Sequence, residues 1–238
     1  MSARVDTPVG GDQAWRRLYA VGSAAAAVYV VLVLVPVTLV FTAPVPPATG
    51  GPLLAYIAEH RAVYLIELLC FVGLAVPGLV VFAALSVALR SADLGIAALG
   101  GLLGVVSETI ALALGSSPQS LHGGLVVLAN RYSQTDSASE RASLASSADA
   151  LIAATNAVSW AGILTAAAIL LLSLLMHREG WGRPLAVFGI LTGTLGIAAE
   201  ALRPLIGASY AIYGLLLPIW FGLIGWKLLH LTRSITAP

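Results

Sequence analysis

An all-α integral membrane protein, a bundle of six transmembrane helices, is the fold this chain predicts, on three observations. Of its 238 residues, 59% are hydrophobic and only 10% charged, against about half and about a quarter in soluble domains. Mean hydropathy is +0.95. Apolar stretches recur at 18–41, 63–89, 94–114, 150–176, 185–202 and 206–229, each in or near the roughly 17–25 residues that cross a bilayer. Backbone polar groups inside hydrocarbon must bond within their own segment, so these stretches are read as helices.

The first span follows Arg16 and Arg17. Its apolar stretch outruns a secretory h-region, so an uncleaved helix is expected. The second carries Glu67, Cys70, Pro77 and Gly78, and the Pro-Gly pair predicts an interruption. Between the third and fourth lies an outer loop, 115–149, in which Ser137 and Glu140 form a capping box. The fourth helix is therefore predicted to begin near Ala138 and to project beyond the membrane. Pro204 is read as ending the fifth helix, and Pro218 as interrupting the sixth. The chain thus divides into an N-terminal segment 1–17, a membrane domain 18–232 and a tail 233–238.

Lys and Arg orient the bundle. With the N-terminus inside, Arg4, Arg16, Arg17, Arg90, Arg178, Arg183, Lys227 and Arg233 face the cytoplasm. Only Arg61, Arg131, Arg141 and Arg203 face outward. Both termini are therefore expected in the cytoplasm, with Trp15, Trp181 and Trp226 near that interface.

A repeat places the carboxylates. "GLLGVVSE" (101–108) and "GTLGIAAE" (193–200) share Gly-x-Leu-Gly and a final Glu. Counting back, "ELLCFVG" (67–73) falls opposite "NAVSWAG" (156–162), setting Glu67 beside Asn156 and Cys70 beside Ser159. Spans 2–3 and 4–5 thus read as two copies of one hairpin, a parallel internal repeat. Ala97, Gly101, Gly104 and Glu108 keep one helical face, as do Gly189, Gly193, Gly196 and Glu200. Small-residue stripes let helices approach closely in lipid, so both faces should point inward. The predicted result is a polar layer in the outer third of the bundle: Glu67, Glu108, Asn156, Ser159, Glu200, Arg203, Tyr210 and Tyr213. Arg203 follows Glu200 by three residues, a spacing that permits an ion pair.

Intramembrane ionisable groups default to functional hypotheses. Several chemistries are excluded. A net charge of +1 argues against nucleic acid. Cys70 alone allows neither an internal disulfide nor a Cys-based metal cluster. His60, His122, His177 and His230 show no ligand spacing, and no Lys-bearing phosphate loop is present. No metal and no cofactor are expected.

Three stretches, "YIAEHRAVYLIE" (56–67), "GILTGTLGIAAEALRP" (189–204) and "YAIYGLLLPIWFGLIGWKL" (210–228), resemble a bacterial family of multi-pass membrane proteins known as domain of unknown function 4386. The resemblance covers about residues 15 to 232. It implies a six-to-seven-helix protein of the bacterial plasma membrane and brings no activity or catalytic residue. The remaining alternatives are a protein that binds or transports a small molecule or lipid through the polar layer, a membrane-embedded enzyme using Glu67 and Glu108 as acid and base, and a structural or regulatory subunit. Its partners would be the lipid bilayer, that ligand and, for so small a bundle, a second copy in a homo-oligomer.

Overall fold

The computed structural model describes residues 10–39, 41, 43–114, 123–178, 181–206 and 210–234. These form α1 (Gly10–Leu39), α2 (Gly50–Glu59), α3 (Arg61–Gly73), α4 (Ala75–Ala88), α5 (Leu94–Leu114), α6 (Gly124–Gln134), α7 (Ala138–Val158), α8 (Gly162–Arg178), α9 (Arg183–Ala201), α10 (Arg203–Ile206) and α11 (Tyr210–Ser234). Among the described residues there is no strand. Six helical runs are long and apolar enough to cross a membrane: Ala14–Leu39, Arg61–Ala88, Leu94–Ala113, Ala138–Arg178, Arg183–Ala201 and Tyr210–Arg233. The protein is a multi-pass membrane bundle, as its composition predicts.

The spans form a ring in chain order. α1 packs on α4, α4 on α5, α5 on α8, α8 on α9 and α9 on α11, and α11 returns to α1. The α9–α11 seam is the thinnest of the six. Inside the ring, Tyr29 stacks on Phe221 with ring centroids 3.7 Å apart. Phe82 meets Phe221 edge-on at 5.8 Å and Trp220 at 6.0 Å. Such aromatic pairs add about 0.5–1.5 kcal/mol each beyond the area they bury.

Two spans are interrupted, and not at the same places that sequence indicated. The second is disturbed at Leu74, between α3 and α4. There φ and ψ stay helical at −57° and −33°, and the N–H still reaches the Cys70 carbonyl at 3.0 Å. Pro77 is the cause: it has no N–H for the carbonyl of Gly73, and its ring crowds that carbonyl. The sixth runs through Pro218 unbroken. The fourth narrows to a 3-10 turn over Ser159–Ala161, with no proline to announce it. There Ser107 of α5 donates its hydroxyl to the Ala161 carbonyl at 2.9 Å and shares a 2.7 Å bond with Thr165. A broken helix frees carbonyls that lipid cannot satisfy, so a neighbouring hydroxyl takes one.

α7 begins at Ala138, where the capping signal places it. The Glu140 N–H reaches Ser137 Oγ at a long 3.4 Å. The reciprocal arm differs from a capping box, because the Glu140 carboxylate accepts from the Thr135 hydroxyl at 2.5 Å. The first half of α7 packs with α2 and α6 into a three-helix cap over one end of the ring. Its core holds Leu53, Leu54, Ile57, Leu125, Leu144 and Ile152. Gly50 at the start of α2 donates its N–H to Asp149 at 2.7 Å. Arg61 bonds Asn130 at 2.9 Å. Gly123 precedes α6 at φ +82°, a left-handed conformation that suits glycine. At the opposite end, Arg90 lies over the Trp15 ring at 5.3 Å and Lys227 over Trp181 at 5.9 Å.

Candidate functional site: a carboxylate and tyrosine layer below the cap

Three polar side chains from α1, α5 and α9 turn into the ring near its capped end. Glu108 is 7% exposed and Glu200 3% exposed. Small residues precede both by seven and four positions, Gly101 and Gly104 for one and Gly193 and Gly196 for the other. A Cβ at Gly104 would drive into the Phe82 ring, and one at Gly196 would stand 2.5 Å from the Tyr213 ring. These approaches turn the following carboxylate toward the interior.

Each carboxyl then lands on a glycine of the preceding span. A Cβ at Gly78 would lie 2.7 Å from Glu108 Cδ, and one at Gly162 would lie 2.6 Å from Glu200 Cδ. The parallel extends inward. Gly101 faces Ser86 and the Phe82 carbonyl, and Gly193 faces Leu170 and the Ala166 carbonyl. Spans 2–3 and 4–5 therefore share one packing pattern. Its register differs from the one counted in sequence: Gly78 is equivalent to Gly162, five positions away from a pairing of Glu67 with Asn156. Glu108 follows Gly78 by 30 residues and Glu200 follows Gly162 by 38. α8 and α9 run longer than α4 and α5 on the side away from the carboxylates, so a count back from the acids slips.

The two carboxylates are partnered differently. Glu200 accepts the Tyr210 hydroxyl at 2.6 Å. Arg203 Nη1 stands 3.6 Å from its other oxygen, and the guanidinium lies 4.4 Å over the Tyr210 ring. The expected Glu200–Arg203 pair is present. Glu108 has no hydrogen bond and no ion pair among the described residues. Tyr29 and Tyr213 lie within its electrostatic reach, and Tyr213 also feels Glu200 and Tyr210. Tyr213 is 3% exposed, and its hydroxyl has no partner among the described residues. Deeper in the ring, Ser173 Oγ and Trp220 Nε1 converge on Gly189, also without partners there.

Of the eight residues expected in the layer, five come together: Glu108, Glu200, Arg203, Tyr210 and Tyr213. Glu67 is buried apart from them. It acts on Tyr56, Tyr64 and Cys70, a set distinct from Tyr29 and Tyr213 around Glu108. Tyr56 stacks on His60 at 4.7 Å. Burial first, and then Glu67, push the Tyr56 phenol above its ordinary pKa. Asn156 lies on an exposed face of α7, and the Ser159 side chain lies outside what the structure describes. Sequence reading missed Tyr29, Gly78 and Gly162. A signal for Tyr29 exists: Gly22, Ala25 and Tyr29 repeat the spacing of Gly101, Gly104 and Glu108.

Among the described residues no group of three His, Cys, Asp or Glu could hold a metal ion. No family model, no curated protein and no solved structure matches this chain.

Proposed function

We propose that this protein binds a small molecule inside the ring and exchanges it against a proton on Glu108, as a carrier or receptor would. One observation supports this above all: an interior carboxylate with no cation and no hydrogen bond among the described residues, facing an unpartnered tyrosine hydroxyl. A buried group of that kind is stable only when protonated or when a ligand supplies its partner. Both termini are inferred to be cytoplasmic from the distribution of Lys and Arg, and a bacterial plasma membrane is the setting that the resemblance implies. Membership of the domain of unknown function 4386 family is part of the same proposal and rests on the three stretches quoted above. The acid–base enzyme reading draws no support from Glu67 and Glu108, which sit in separate clusters.

The test is a thermal-shift screen of the protein in nanodiscs against amphipathic cations, neutral compounds and anions. At least one compound should raise the melting temperature of the wild-type protein and not that of Glu108→Gln. A screen in which every stabilising compound acts equally on both proteins overturns the reading.

A further inference from the structure

We propose that the ligand of this layer is an amphipathic organic cation, a protonated amine or onium group carrying an aromatic or alkyl body; this deepens the binding reading above and rests on it. The charges set the sign. Two carboxylates, Glu108 and Glu200, face the interior, and one cation, Arg203, is already held between Glu200 and the Tyr210 ring. One further positive charge leaves the layer neutral, whereas an anion would add to uncompensated negative charge.

The lining sets the chemistry. The unpartnered Tyr213 hydroxyl has lone pairs for an ammonium N–H. Tyr29, stacked on Phe221, borders the Glu108 side, and Phe82 and Trp220 pack around Phe221 behind it. Aromatic faces attract cations and accept an apolar body, and the attraction grows when water is excluded. Calcium or magnesium fits poorly, since each requires about six or more oxygen ligands.

Proton and cation would compete for Glu108. The groups near it are Tyr29 from α1 and Tyr213 from α11, with Tyr210 and, from α9, Glu200 beyond them; α4 presents Gly78. The phenols are neutral under ordinary conditions. A proton on Glu108 removes the charge that holds the cation, so affinity should rise with pH.

Tetraphenylphosphonium, triphenylphosphine oxide and tetraphenylborate supply a cation, a neutral compound and an anion of similar shape. Their equilibrium binding to the full-length protein in nanodiscs, measured over a pH series, tests the proposal. Tetraphenylphosphonium should bind most tightly, weaken as pH falls, and lose about tenfold or more in affinity in Glu108→Gln, a change of roughly 1.4 kcal/mol. Tyr213→Phe should weaken it less, which gives a second readout if Glu108→Gln fails to fold. Glu108-dependent binding of the oxide or the borate without the phosphonium overturns the cation assignment and leaves the binding reading standing. Phosphonium binding that ignores pH and both substitutions overturns it as well. If none of the three binds and the wider screen is also empty, the binding reading itself falls.

Discussion

The carboxyl carbon of Glu108 lies where the bare Cα of Gly78 leaves a gap, 2.7 Å from the place a methyl group would take. Glu200 stands over Gly162 in the same way, at 2.6 Å. Each helix hairpin thus seats one carboxylate on one glycine. The seat holds each carboxyl close to the backbone of the neighbouring span.

Filling either seat should push the carboxylate off it. Gly78→Ala and Gly162→Ala meet only the flexible ends of Glu108 and Glu200, so each should cost up to about 1 kcal/mol. The larger loss should fall on Gly162→Ala, which disturbs the Tyr210–Glu200 bond. Gly214→Ala is the control, because its Cβ meets nothing within 4 Å. Helix propensity should make that change neutral or stabilising by up to about 1 kcal/mol. Thermal unfolding in one detergent reads all three, and equal losses would remove the seat argument.

Tyr210 and Glu200 form a short bond in a buried setting, 2.6 Å long. Bonds to charged groups contribute about 1.5–3 kcal/mol. A double-mutant cycle of Tyr210→Phe and Glu200→Gln should return a coupling above about 1 kcal/mol. A coupling near zero would make the contact incidental.

Ser107 closes the break in the fourth span. Ser107→Ala strands the Ala161 carbonyl and one bond of Thr165, at about 1–3 kcal/mol. Amide exchange should rise around 159–162 more than elsewhere. Uniform exchange across α8 would place the support of that turn elsewhere.

The cap has its own pH response. Because burial and then Glu67 raise the Tyr56 pKa, its contribution to stability is complete below the ordinary tyrosine range and is lost as pH climbs through the raised value. Near-ultraviolet phenolate absorbance, with Tyr56→Phe as the blank, should show late ionisation. Glu67→Gln should bring it earlier without restoring the ordinary value, since burial is the larger cause. No movement in Glu67→Gln would detach Glu67 from the cap.

Hydropathy alone reveals the six helices, because crossing hydrocarbon leaves the backbone no other structure. The inward faces of α5 and α9 were also legible: Gly101, Gly104 and Glu108 carry a period that survives in packing. What failed was the count around each hairpin. α8 and α9 run longer than α4 and α5 on the side away from Glu200 and Glu108, so counting back from the acids misplaced Glu67 against Asn156. Glu67 itself looked like a member of the inner layer because depth along a helix was readable and direction around it was not. Tyr29 was overlooked because its stripe uses alanine for one glycine and a phenol for the acid.

The ring joins neighbours in chain order at every seam but one, where the first helix meets the last. During synthesis α1 reaches the membrane long before its stacking partner Phe221 exists. Tyr29 must therefore wait with its face against lipid or a passing chaperone until α11 is delivered. The final helix to be made is the one that turns an open row of helices into an enclosure. A chain halted before Phe221 keeps five sound spans and encloses nothing.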